Sequence, residues 1–354
     1  MKLYRVFSFV LLLSLVLAAC STPQTATQAP APTQAPAATQ PPAPTQAPAA
    51  TQAPATAAPT AAATAAPTVA PTAAATAAPA AAPTVIPTPV AALPQFTTLY
   101  KGKLLYCTDF PYAPQEYYDD NGNPQGADID IGNEIARRLN LQPVYINSVF
   151  DSIIAAVTGG KCDAIISAMN ITPDRQKQVS MIPYFEAGQQ FVTTKGNPNN
   201  INGPMDLCGK SAAVESGTTE QFYLEGSDVY KDNGITQACT KAGKQPVNVV
   251  VTQKDSDALQ QLLSGKVVVY FTDSPVAAYA TIQHPDQFQL AGTVLNSAPE
   301  GINLPCGQSD CSTAPFTPLA QAIQFTLGKM INDGTYMKIL TKWNLADGAV
   351  KQPY

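Results

Sequence analysis

The chain is predicted to be an α/β protein of two lobes, on two observations. A unit of helix, Gly-Lys stop, apolar strand and polar exit occurs twice, about 105 residues apart. In the first copy Ile153, Ile154 and Val157 face inward, Gly160-Lys161 stops the helix, and Ala164 to Ile166 form the strand. In the second, Leu259, Leu262 and Leu263 face inward, Gly265-Lys266 stops the helix, and residues 267–271 form the strand. Such βαβ-rich halves imply parallel sheets covered by helices. The second observation is a pair of extended stretches, 189–194 and 289–295, which read as two crossings between lobes. The second lobe is then an insertion within the first.

Residues 1–19 have a signal-peptide layout. Lys2 and Arg5 supply the charge, Val6 to Leu17 the apolar run, and small residues lead to Cys20. That run is shorter than the roughly 20 residues a spanning helix needs. Residues 20–95 are almost entirely Ala, Pro, Thr and Gln, with no charged or aromatic residue between Phe9 and Phe96. Such a segment cannot bury enough apolar surface to offset its conformational entropy, so a disordered tether is expected. Fully extended it would reach roughly 230 Å at about 3.1 Å per residue. The globular part starts at 96, with lobe 1 at 96–190, lobe 2 at 191–292, and a return to lobe 1 with C-terminal helices at 293–354.

Acidic side chains outnumber basic ones, 25 to 20, and no basic run occurs, which argues against nucleic acid as a partner. His284 is the only histidine and no C-x-x-C is present, so neither a metal nor any other cofactor is expected. Asp119-Asp120-Asn121-Gly122-Asn123-Pro124 superficially resembles a calcium loop, but its Gly and closing Glu are out of place, and a turn is favoured. An exported chain makes disulfides plausible. Cys306 and Cys311 close a tight loop, and Cys208 with Cys239 is the next pair. Cys107 ends one strand and Cys162 begins another. If those strands are parallel their sulfurs lie beyond bridging distance, so both are expected reduced and buried.

The candidate site lies where strands end. Asp109 follows the first strand; Ser167, Ala168 and Asn170 follow the Ala164–Ile166 run; Asp273 follows the 267–271 run. In open α/β sheets ligands sit at such carboxyl ends. Thr172-Pro173-Asp174 starts a helix with Arg175 just inside it. Strand 210–214 exits into Glu215-Ser216-Gly217-Thr218-Thr219, then a helix opening at Glu220, whose free N–H groups suit an anion. Asp128 and Asp130 open another helix and are read as N-terminal caps, as is Asp151.

The series Thr108-Asp109-Phe110-Pro111-Tyr112-Ala113-Pro114, Gly126-Ala127-Asp128-Ile129-Asp130, Phe150-Asp151-Ser152-Ile153-Ile154, Gly160 through Arg175, Gly217-Thr218-Thr219 and Thr272-Asp273-Ser274 resembles family 3 extracellular solute-binding proteins. These are receptors of amino-acid ABC importers. Leu17-Ala18-Ala19-Cys20 resembles a lipoprotein lipobox, in which the Cys is lipidated. The resemblance implies a periplasmic-binding-protein-like type II fold with two crossing hinge strands. It also implies a lipid-anchored, extracytoplasmic, monomeric receptor that hands a free amino acid to ABC permease subunits, and not an enzyme. Carried over residue by residue, Arg175 and the Thr219 N–H would hold the α-carboxylate. Asn170, the Ala168 carbonyl and Asp273 would hold the α-ammonium, while Tyr112 and Phe150 cover the side chain. Asp109 matches the position that holds a cationic side chain, and Glu215 and Glu220 add carboxylates, so a basic or polar amino acid is expected. Asn170 stands where Ser or Thr is usual, and Gln115 where Phe is common. The same resemblance extends to cyclohexadienyl dehydratases, and a ligand sensor for a separate signalling chain is a further alternative.

Overall fold

The computed structural model describes residues 93–352. The signal peptide, Cys20 and nearly all of the expected tether lie outside the described residues. In chain order the elements are β1 (Lys103–Thr108), β2 (Tyr117–Tyr118), β3 (Pro124–Gln125), α1 (Ala127–Arg138), β4 (Gln142–Asn147), α2 (Ile153–Thr158), β5 (Ala164–Ile165), α3 (Pro173–Gln178) and β6 (Ser180–Thr194). There follow β7 (Ser211–Glu215), α4 (Thr219–Glu225), α5 (Ile235–Lys241), β8 (Asn248–Thr252), α6 (Asp255–Leu263), β9 (Val269–Asp273) and α7 (Ser274–Gln283). The chain closes with β10 (Phe288–Leu304), α8 (Pro318–Asn332) and α9 (Thr335–Lys342). Among the described residues no helix is long and apolar enough to cross a membrane.

Eight strands form one sheet in the order β4-β1-β5-β10-β6-β9-β7-β8. β1 pairs in parallel with β4 and β5, and β7 pairs in parallel with β8 and β9. The long strands β6 and β10 run antiparallel to each other and join the two parallel groups. They are the two crossings, longer than the sequence stretches that announced them. Their pairing slips between Ala291 and Ala298, at the middle of the crossing. Gly188 lies there because a side chain would collide: an added Cβ would stand 2.3 Å from Val294 Cγ1 and 2.8 Å from the Leu295 carbonyl.

Each parallel group is covered on both faces, and the strand alternation decides which residue goes where. Leu104 and Tyr106 join Ile131, Ile135, Ile323 and Leu340 in one core, while Leu105 and Cys107 pack on the opposite face with Ile153, Val157 and Ile165. The same division holds in the other group. Ala212 and Val214 meet Phe191, Leu224 and Phe271, while Ala213 meets Leu262, Tyr270 and Ala277. Helices α8 and α9 return to the first group's core, which they share with Tyr184 and Ile302.

Cys208 and Cys239 are bridged, as are Cys306 and Cys311. Cys107 and Cys162 are bridged as well, with Cα atoms 5.7 Å apart, which corrects the expectation that both are reduced. β5 holds only Ala164–Ile165, so Cys162 has not yet joined the sheet and is free of strand register. It enters over the face to which Cys107 points. Three cap assignments also change. Asp130 caps nothing; its Oδ2 accepts from Lys342 Nζ at 2.6 Å and Trp343 Nε1 at 2.7 Å. Asp128 caps nothing at the helix end; its buried carboxyl accepts from Tyr184 Oη at 2.6 Å and Ala168 N at 3.0 Å. Asp151 caps neither α2 nor the short turn before it, and accepts instead from Ser216 Oγ at 3.2 Å.

Candidate functional site

The loops after β1, β5, β7 and β9 converge on one narrow, largely enclosed cavity. It brings together Asp109, Tyr112, Phe150, Ser167, Ala168 and Asn170 from one side, and Glu215, Thr218, Thr219, Glu220 and Asp273 from the other. Arg175, the twelfth expected residue, is not on its wall. Its Nη1 donates to the Asn170 carbonyl and its Nη2 to the Gly217 carbonyl, both at 2.8 Å. The guanidinium carbon lies 5.5 Å from the Phe150 ring centre and 6.0 Å from that of Phe222. The group is thus held behind Asn170, in a neighbouring cleft with Asp174 and Asp228.

Local folding explains how each group arrives. Ala168 has φ of 42°, a left-handed conformation costly for a residue with a Cβ. Its N–H donates to Asp128 Oδ2 instead of extending β5. Ser167 Oγ accepts from Asp109 N at 2.9 Å and donates to Glu116 Oε1 at 2.7 Å. Thr218 caps α4 through Gln221 N, which leaves Thr219 Oγ1 to donate to Asn170 Oδ1 at 2.7 Å. Asp273 precedes α7 without capping it; its Oδ2 accepts from Tyr112 Oη at 2.7 Å. Bonds from Arg175 to Gly217, Thr219 to Asn170 and Tyr112 to Asp273 all join the two parallel groups, the last two at the cavity and the first in the neighbouring cleft.

Two residues escaped the sequence reading. Glu116 lines the cavity and is fully buried, and its Oε2 has no protein partner. It follows Gln115 in a stretch that reads as an ordinary polar loop, and the Tyr112–Glu116 bridge and the bond from Ser167 Oγ hold it inward. Lys254 stands just before α6 and reaches Asp109 Oδ1 at 3.2 Å and the Phe110 carbonyl at 2.5 Å. No local pattern marks either residue.

The cavity wall therefore carries five carboxyl groups: Asp109, Glu116, Glu215, Glu220 and Asp273. Burial raises the pKa of every one of them. Glu215 is pushed up to about 10, first by burial and then by Asp255 and Asp109. Asp273 is held well above the usual carboxylate range by burial and by Glu220. Lys254 partly opposes the rise at Asp109. Glu220 Oε1 and Asp273 Oδ1 accept from no donor among the described residues, and the two carboxyl groups lie within hydrogen-bond reach of each other. A cation placed here would offset the repulsion and draw these groups toward their charged forms.

Comparison with known proteins agrees with this geometry. Residues 104–346 match the bacterial extracellular solute-binding proteins, family 3. The lysine/arginine/ornithine-binding periplasmic protein of Escherichia coli (strain K12) is 27% identical over 243 residues, covering 67% of this chain and 85% of that protein. An ancestral arginine-binding protein, solved bound to arginine, is 34% identical with a TM-score of 0.59, covering 69% of this chain and 98% of that one. An ancestral arginine-binding protein bound to glutamine gives 34% and 0.58, over 69% and 98%. An ancestral amino acid-binding protein, a precursor of cyclohexadienyl dehydratase, is 30% identical with a TM-score of 0.56, over 68% and 95%. The chain is a member of the bacterial extracellular solute-binding proteins, family 3, with the two-lobed fold of periplasmic amino-acid-binding proteins.

Proposed function

We propose that the protein is a membrane-tethered receptor that binds a free amino acid with a cationic side chain and delivers it to an ABC importer. The observation that carries this reading is the cavity at the strand ends, walled by five carboxyl groups. In this reading Asp273, Glu220, Asn170 and the Ala168 carbonyl hold the α-ammonium. Asp109 and Glu215 face the cationic side chain, and Tyr112 and Phe150 flank its stem. Thr218 and Thr219 stand at the α4 N-terminus, where a Thr219 N–H would meet the α-carboxylate. Arg175 would complete that clamp by releasing the Gly217 carbonyl, since a bidentate carboxylate is a stronger acceptor than a peptide oxygen. The names of the relatives support the ligand class.

Segments 96–190, 191–292 and 293–354 would form lobe 1, lobe 2 and the return, rotating about β6 and β10 to enclose the ligand. Ligand contacts made to both lobes at once would favour the closed form. Residues 1–19 would be a lipoprotein signal, Cys20 the lipidated residue and 20–95 the tether holding a monomeric receptor near its permease.

Calorimetry with the common amino acids and ornithine tests the reading. Arginine, lysine, ornithine or histidine should bind. Tight glutamate or leucine binding with no response to arginine refutes it. One observation favours an enzyme as second reading: Glu215, pushed up to about 10, would stay protonated as a general acid must. Turnover of prephenate would establish it, and none is expected.

A further inference from the structure

We infer that Lys254 sets the charge selectivity of the site: it is a built-in counter-cation that screens Asp109, letting the side-chain end accept neutral polar amino acids beside basic ones. The inference rests on the proposed function and deepens it.

The geometry is specific. Lys254 begins α6, and its carbonyl accepts from Asp257 N, Ala258 N and Thr252 Oγ1, so its backbone is fixed. Its side chain, 33% exposed and outside the cavity wall, crosses to the other strand group. There it meets Asp109 Oδ1 at 3.2 Å and the Phe110 carbonyl at 2.5 Å. The other Asp109 oxygen, Oδ2, accepts from Phe150 N at 2.9 Å. Both oxygens of this carboxyl group are thus engaged by the protein, and Asp109 is only 5% exposed. Glu215 stands within hydrogen-bond reach of it at the same end of the cavity.

A guanidinium or ammonium arriving at this end meets a carboxylate whose charge is already balanced. It must compete with Nζ for Asp109, and two cations beside one carboxylate repel each other. A side-chain amide has no such conflict, because it carries no charge and its NH2 can donate to Glu215 on the wall. At the Asp273 end no lysine or arginine bonds to the carboxyl groups; Arg175 is turned to two backbone carbonyls. The asymmetry assigns the discrimination to Lys254.

The test is Lys254→Met, which keeps the unbranched stem and removes the charge, with arginine and glutamine titrated calorimetrically into the variant and the wild type. Losing an interlobe contact raises the cost of closure for both ligands alike, so that cost cancels in the ratio of affinities. The ratio of arginine to glutamine affinity should rise at least about tenfold in Lys254→Met and hold within about twofold in Lys254→Arg. An unchanged or lower ratio in Lys254→Met overturns the inference while leaving the amino-acid receptor intact. Failure of the wild type to bind either ligand overturns both. If Lys254→Met shows no cooperative melt, Lys254→Gln is titrated in its place, with the same two outcomes deciding.

Discussion

The two parallel strand groups have the same plan and different chemistry. Each places its first strand in the middle, its second outside and its third against a crossing strand: β4-β1-β5 on one side, β8-β7-β9 on the other. The first group presents hydroxyl, amide and carbonyl groups on Ser167, Ala168 and Asn170 beside the carboxyl groups of Asp109 and Glu116, and holds a left-handed turn at Ala168. The second presents Glu215, Glu220 and Asp273, carboxyl groups with few neutral partners. The difference extends to the disulfides. Cys107–Cys162 ties the exit of β1 to the approach of β5, both of which lead into the site. Cys208–Cys239 ties the start of the second group to α5, away from the cavity. In the proposed receptor the first group would act as the platform and the second, with three carboxyl groups to its two, as the face that closes on it.

Substitutions at the matching anchors should have the largest effect. Asp273→Asn and Arg175→Ala should each weaken amino-acid binding by at least about 100-fold in calorimetry, since each leaves a ligand charge buried without its partner. Both should keep a cooperative melt. Near-wild-type affinity in Arg175→Ala would mean that its hold on the Asn170 and Gly217 carbonyls is purely structural, and the platform would lose its anion clamp.

The disulfides sharpen the contrast at intermediate size. By loop entropy, removing either bridge should cost about 4 kcal/mol, because the closed loops span 55 and 31 residues. Denaturant titration of the paired Cys→Ala variants should therefore give similar losses. Affinity should separate them: the Cys107→Ala/Cys162→Ala protein should bind several-fold more weakly, and the Cys208→Ala/Cys239→Ala protein as the wild type does. Equal effects on binding would remove the distinction between platform and closing face.

The smallest effect is pH dependence, and both groups contribute with one sign. Burial raises Asp128 to about 6 and Asp255 to about 7, each from 3.8. The folded state binds the proton more tightly than the unfolded one. The resulting stability is complete below about pH 3.8 and is lost as pH rises through 6 to 7. Glu134 and Asp333 are shifted down, and are ionised in both states above pH 5. The melting temperature without ligand should then be higher at pH 5 than at pH 7.5. Arginine affinity should move the opposite way, weakening toward pH 5, because protonated carboxyl groups on the wall no longer attract a cation. Parallel trends in the two measurements would show that those carboxyl groups do not face the ligand's charge.

Much of the fold was legible because its signals are local. The apolar run at Ala164–Ile165 and the Gly-Lys stops lie within one window of chain, and period-two alternation in β1 and β7 sorts residues between faces. Residues at strand ends inherit their place from the strand, so Asp109, Ser167, Asn170, Glu215 and Asp273 could be named as neighbours before any contact was known. Asp128 was misread for the same reason. Near a helix start an aspartate looks like a cap, and its true partner, Tyr184, is 56 residues away.

The sequence by itself determined the two βαβ-rich halves, the crossings and the list of strand-end residues, since each follows from short-range pattern. The tertiary structure alone decided the Cys107–Cys162 bridge, the inward turn of Glu116, the direction of Arg175 and the reach of Lys254 to Asp109 across 145 residues of chain. Each of these depends on how two distant segments are brought face to face. A side chain's partner is set by the packing of whole elements, which no single stretch of sequence encodes.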